Sequence, residues 1–205
     1  MFYLFKDKKG FTLIEMLVTL GIMVMMLSVV ILGQRNYTEV AALTNLADEI
    51  GLNLSQAQAY GIAVKERTTG SNDFSSGYGL DFTLTESNKI YVSFIDRNAS
   101  RYYDGDQSCP TGASSECLEK ISILRGNYID SFCIIKNVGA DECGTVGKAE
   151  ITFARPDPTA RFYFFNTSAV PYNPAGTKGL KINLKSPSGL TKSVTVYSTG
   201  QISIQ

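Results

Sequence analysis

The residues able to do chemistry are few, and their types restrict what that chemistry can be. Histidine is absent from the 205 residues. That removes Ser-His and Cys-His nucleophile pairs, His-ligated zinc and the usual near-neutral general base. Carboxylates and lysines remain, but no pairing of them in the sequence announces acid–base catalysis, so the chain is expected not to be an enzyme. Gly77-Tyr78-Gly79 is not followed by the helix a phosphate loop needs, which argues against a nucleotide site. Asp96, Asn98 and Ser100 place oxygen side chains at every second position, and Asp104 and Asp106 follow. Alternate side chains of this kind can wrap a hard cation such as calcium. The segment resembles the first half of an EF-hand loop, yet Arg101 stands where the glycine belongs and the closing Glu is missing. A polar loop without metal is the expectation, with calcium on Asp96, Asn98, Ser100 and Asp104 as the alternative; no cofactor is required.

A different kind of chemistry sits near the N-terminus. Residues 1–10, MFYLFKDKKG, are short and basic, with Lys6, Lys8 and Lys9 against Asp7. From Phe11 to Leu32 runs an apolar stretch of 22 residues whose single charge is Glu15. As a helix it spans ~33 Å, enough for a hydrocarbon core of ~30 Å. The cations precede it, so residues 1–10 are expected in the cytoplasm and the C-terminal part outside, as a single-pass membrane protein. A secretory signal has a shorter apolar core, ~7–15 residues, and a small-residue cleavage site beyond it, which LGQRNY does not offer. A plain anchor explains the length but not the acid. A carboxylate within a spanning segment costs ~2.5–3.5 kcal/mol at mid-membrane and less near an end, so Glu15 calls for a positive partner.

Lys9-Gly10-Phe11-Thr12-Leu13-Ile14-Glu15 closely resembles the prepilin signature shared by type IV pilins and type II secretion pseudopilins. The resemblance implies that prepilin peptidase cuts between Gly10 and Phe11 and that the new N-terminus on Phe11 is N-methylated. It also implies that Glu15 pairs with the Phe11 ammonium of a neighbouring subunit, setting the register of a filament. A pair within one subunit is the alternative, since the two residues stand one helical turn apart. Implied partners are other pilin or pseudopilin subunits, the peptidase, an inner-membrane assembly platform, and lipid before assembly. Segments further on, including Leu46–Val64, Gly77–Phe82, Phe94–Asn98 and the final VYSTGQIS, resemble the GspH/FimT type of minor pseudopilin. That implies a filament subunit at a tip or initiation site of a type IV pilus or type II secretion-like machine, in a periplasmic or cell-surface filament. Some proteins of that type take up DNA through a basic C-terminal region. Residues 193–205 hold no Lys or Arg, and Lys plus Arg balance Asp plus Glu at 19 each. Nucleic acid is therefore not an expected partner, and a DNA-capturing minor pilin of a competence-type pilus is the alternative reading.

The elements that must carry these residues follow from periodicity. Val40, Leu43, Ala47, Ile50, Leu54, Ala57 and Val64 recur at three- and four-residue steps, so one long helix is expected from about Thr12 to about Glu66. Eleven Tyr, eleven Phe and eighteen Gly favour a β-rich remainder. Strands are expected at Tyr78–Leu84, Ile90–Ile95, Ile121–Leu124, Ile129–Lys136, Ala149–Phe153, Arg161–Phe165, Leu180–Leu184 and Val194–Tyr197. Turns fall at Thr69–Ser76, Pro156–Pro158 and Pro171–Lys178, and Gly200 turns a terminal hairpin. The aromatic run Phe162–Phe165 reads as sheet core. The expected architecture is α+β, a pilin-type long helix on a mainly antiparallel sheet. Its parts are a leader (1–10), a transmembrane or filament-core helix (11–32), an amphipathic continuation (33–66) and an exported domain (67–205). Cys109, Cys117, Cys133 and Cys143 all fall in the exported part, where disulfides are favoured; four cysteines allow three connectivities, and local pairing closes the shortest loops.

Overall fold

The computed structural model describes residues 10–63, 76–112 and 114–205, without the side chains of residues 32–36 and 158. The expected leader cations Lys6, Lys8 and Lys9, the stripe residue Val64, the helix end near Glu66 and most of the turn at Thr69–Ser76 lie outside the described residues. The chain divides into two compact units between Glu39 and Val40. Helix α1, Leu13–Ile62, supplies residues to both.

In the second unit, the helical stripe meets the core. Leu43, Leu46, Ala47, Ile50, Leu54 and Ala57 are all buried, and their three- and four-residue spacing puts them on one side of the helix. Val40, expected in this stripe, is instead 49% exposed; the buried face begins one turn later, at Leu43. Gly61 lets the helix press against the strand that holds Phe153, because a Cβ there would run into the Phe153 carbonyl.

Eleven strands follow among the described residues. The first sheet orders β3 (Cys117–Ser122), β2 (Ile90–Ile95), β1 (Tyr78–Thr83), β6 (Val146–Ala154), β7 (Asp157–Asn166) and β8 (Pro171–Tyr172). The second orders β11 (Ile202–Ile204), β10 (Thr191–Tyr197), β9 (Thr177–Lys185), β4 (Tyr128–Lys136) and β5 (Glu142–Cys143). Every pairing is antiparallel. The fold is α+β, and the helix shares one core with both sheets: Leu80, Phe82 and Ile151 come from the first, Phe132, Ile182 and Val196 from the second. Alternation along the strands assigns the faces. On β6, Ala149, Ile151 and Phe153 point to the core, which leaves Lys148, Glu150 and Thr152 on the outer face.

Three differences from the sequence reading have physical causes. The strand expected at Ile121–Leu124 is shifted to Cys117–Ser122, since pairing with β2 runs from Ser122↔Ile90 to Cys117↔Phe94. Leu124, 74% exposed, lies in the turn before Gly126, whose φ is 76°. The two-residue strands β5 and β8 fall in segments too short to show a period. Within Phe162–Phe165, Phe162 and Phe164 join the core while Tyr163 and Phe165 alternate to the outer face, where both pack near Tyr102.

Candidate processing and assembly site

Thr12 starts α1. Its side-chain oxygen accepts the Glu15 N–H at 3.3 Å, and its carbonyl accepts the N–H groups of Glu15 and Met16 at 3.1 and 3.2 Å. Thr12 is thus the N-cap and Glu15 the third helical residue, the Thr-x-x-Glu spacing of a capping box. Gly10 and Phe11 precede the cap, outside the helix and exposed, Phe11 by 77%. A Cβ placed on Gly10 would meet nothing within 4 Å, so folding of the chain itself makes no demand for glycine there.

Beyond the cap, Leu13–Ile31 has a mean hydropathy of 2.4, and none of it is buried among the described residues. Its 19 residues reach ~28 Å as a helix, close to the thickness of a hydrocarbon core. The hydroxyls inside the stretch are satisfied locally: Thr19 donates to the Met16 carbonyl at 3.0 Å and Ser28 to the Met25 carbonyl at 2.7 Å. That back-bonding removes the cost of carrying them into lipid. Glu15 is the ionisable residue of the stretch, and its carboxylate has no ion pair among the described residues. Residues 5–31 match the prokaryotic N-terminal methylation motif. The chain therefore has a type IV pilin-like, prepilin-type N-terminus, which implies processing by prepilin peptidase and assembly with other pilins, together with one helix able to span a membrane. Searches among curated proteins and solved structures found no match.

The second unit gathers its own polar groups on the outer face of the first sheet. Asp81 and Glu150 are register partners on β1 and β6, 1% and 0% exposed. The Lys148 ammonium lies 2.7 Å from Glu150 and 3.6 Å from Asp81. Burial pushes the Asp81 carboxyl up to about 8 against the pull of Lys148, and the Glu150 and Glu86 carboxylates add to the rise. Burial also raises Glu150. Desolvation works against the Lys148 charge, but the two carboxylates outweigh it and hold the ammonium above its ordinary range. Over this triad lies the segment joining β2 to β3. Glu150 accepts the Tyr103 N–H at 2.9 Å, and Lys148 donates to the Tyr103 carbonyl at 3.4 Å. Glu116 accepts the N–H groups of Arg97 and Asp104 at 3.0 and 3.1 Å. The Tyr103 ring packs on Phe94, in a small apolar cluster with Val92.

The oxygen-rich loop belongs to this segment and spends its side chains on itself. Asp96 accepts the Arg101 N–H at 3.0 Å, Asn98 accepts the Ser100 N–H at 2.8 Å and donates to Asp104, and Ser100 donates to the Tyr102 carbonyl at 2.9 Å. No group of three His, Cys, Asp or Glu side chains that could hold a metal ion occurs among the described residues. The cysteines pair Cys109 with Cys117, tying the segment to β3, and Cys133 with Cys143, which face each other across β4 and β5.

Gly10 and Phe11 stand just before α1 and Glu15 in its first turn, while the loop residues and cysteines belong to the other unit. Sequence reading passed over Asp81, Lys148 and Glu150. Their alternation with apolar neighbours looks the same as an ordinary solvated strand face, and only the covering segment makes them buried.

Proposed function

We propose that this chain is a minor subunit, of the GspH/FimT type, in a type IV pilus or type II secretion-like filament. It is inserted with residues 1–10 in the cytoplasm, cut between Gly10 and Phe11, methylated on the Phe11 nitrogen, and then drawn from the bilayer into a helical polymer. The Glu15 carboxylate of one subunit pairs with the Phe11 ammonium of the next. It serves as a structural element with no catalytic role and no required cofactor.

The observation that carries this reading is the first turn of α1. A carboxylate held at the third helical position, one turn from the residue that cleavage makes N-terminal, opens a 19-residue apolar helix of which nothing is buried among the described residues. A buried carboxylate and a buried ammonium are each costly alone and tolerable together. Packing of bare apolar helices in a polymer satisfies the rest of the segment. The exported unit supports the structural role. Asp81 and Glu150, which converge on the outer face of the first sheet, are buried at 1% and 0% exposure and bonded to Lys148 and Tyr103.

Mass spectrometry of the mature protein tests the processing step. The expected mass begins at N-methyl-Phe11; a mature chain still carrying residues 1–10 would sink the proposal. Assembly is tested with Glu15→Leu, which is expected to be inserted and cut but to enter filaments at least tenfold less than the parent, the loss of one buried charge pair. Equal incorporation would refute the role given to Glu15.

A further inference from the structure

A groove of about 840 Å³ opens on the outer face of the first sheet, between residues 99–102 and the β7–β8 hairpin. Its walls present aromatic rings: Tyr102, Tyr163, Phe165 and Tyr172. Tyr102, 37% exposed, stands 6.3 Å from Tyr163 and 6.4 Å from Phe165 between ring centroids. Arg101 lines the groove as well. Arg161 lies on the same strand face as Tyr163, two residues before it, opposite Thr152 in the ladder. Neither guanidinium has an acidic partner among the described residues. Glu142, at the Tyr172 hydroxyl, is already paired with Lys136 at 2.8 Å.

The wall bearing Arg101 and Tyr102 is fixed before any ligand arrives. Ala99 and Arg101 hold left-handed backbones, with φ of 62° and 74°, a conformation that residues with a Cβ keep only where their surroundings impose it. Here the Arg101 N–H donates to Asp96 and its carbonyl accepts the Thr152 hydroxyl at 3.2 Å. The result is a preformed concave surface with half-buried rings on one side, the exposed Tyr102 ring on the other, and positive charge at its edge that has no acidic partner among the described residues.

We infer that this groove binds an acidic oligosaccharide. The negative faces of the tyrosine and phenylalanine rings attract the C–H faces of sugar rings, and the guanidiniums offer forked donors to a sugar carboxylate. The volume lies in the range of ordinary ligand sites. An extended peptide fits less well, because it needs free main-chain edge to join. Beside the groove the open edge is short, Phe162 and the two-residue strand β8: β7 pairs with β6 along one side and with β8 at Phe164 and Phe165, and the Ala160 N–H donates to the Ser198 carbonyl at 3.0 Å. Nucleic acid would need a track of cations along its backbone, whereas two arginines flank this groove and the chain is neutral overall. The inference rests on the groove alone and is independent of how the subunit is processed or assembled.

The test is calorimetric titration of the full chain in detergent micelles with tetragalacturonate. Maltotetraose, a tetraglutamate peptide and an oligothymidylate serve as comparisons. Saturable binding of tetragalacturonate is expected, with maltotetraose weaker by roughly tenfold or more, the size of one charge-assisted hydrogen bond. Arg101→Asn removes the guanidinium while keeping a residue that tolerates the left-handed backbone. It and Tyr102→Ser should each weaken binding by roughly tenfold without moving the melting temperature, and Lys192→Ala on β10 should leave binding unchanged. The inference is overturned if tetragalacturonate does not bind saturably, if Arg101→Asn binds it as well as the parent, or if the peptide or the oligonucleotide binds more tightly.

Discussion

Replacing Lys148 with methionine removes the cation from a site that keeps two carboxylates. Asp81 and Glu150 are register partners on adjacent strands, 1% and 0% exposed, and both lie within 3.6 Å of the ammonium. Methionine matches the length of the lysine stem but leaves this acidic pair uncompensated. Removing one member of a buried ion pair costs about 3–5 kcal/mol, which for a unit of this size lowers the melting temperature by about 10 °C. The cost depends on pH in a definite direction. In the parent, Asp81 titrates at about 8, whereas in the unfolded chain it loses its proton near pH 4. The folded state holds the extra proton between those values, so stability falls as pH rises from about 4 to about 8 and levels off above. Without Lys148 the fall is steeper, because nothing offsets the charge of the second carboxylate. Thermal unfolding of the full chain in detergent, followed by circular dichroism at pH 5 and pH 8, should show a larger deficit for Lys148→Met at pH 8. Adding Asp81→Asn and Glu150→Gln should restore most of the loss, since a neutral site needs no cation. A deficit below about 1 kcal/mol, the ordinary size of a surface substitution effect, or one equal at the two pH values, would refute the reasoning.

Three further outcomes are expected. Gly10→Val should leave the uncut precursor, seen as an unshifted intact mass, while the melting temperature stays where it was because a side chain at residue 10 meets nothing within 4 Å. Cys→Ser replacement of either disulfide opens a loop with a sequence separation of 8 or 10 residues and should cost about 2–3 kcal/mol in denaturant unfolding. Millimolar calcium should shift the melting temperature by less than about 1 °C, since a ligand stabilises only as far as it binds the folded state and the loop oxygens already accept N–H groups of their own segment.

The long elements announced themselves in the sequence, and the short ones did not. Leu43, Ile50 and Leu54 keep a helical period because a helix lying on a core must, and the expected strand Ile90–Ile95 coincides with the observed one. Gly200, with φ of 86°, turns the terminal hairpin where its sequence placed it. β8 was hidden in a proline-bearing stretch that reads as a turn, and its pairing depends on Phe164 and Phe165 being presented by β7. The start of α1 near Thr12 was legible, whereas its cap, a threonine oxygen accepting an N–H three residues on, was local chemistry that the reading of the sequence did not use. The Lys148 triad and the ring-lined groove were not legible, because each is made by a segment more than forty residues away in sequence folding over strands whose own pattern is ordinary.

The position of the Thr12 cap has a consequence for maturation. The proposed cut between Gly10 and Phe11 lies outside the cap, so it would break none of the hydrogen bonds that start the helix. What changes is electrostatic. A neutral peptide bond becomes an ammonium beside a helix end that already carries about half a positive charge. Conversion from lipid anchor to building block therefore asks for no refolding of α1; it turns a silent helix end into a cationic plug whose natural socket is a carboxylate like that of Glu15.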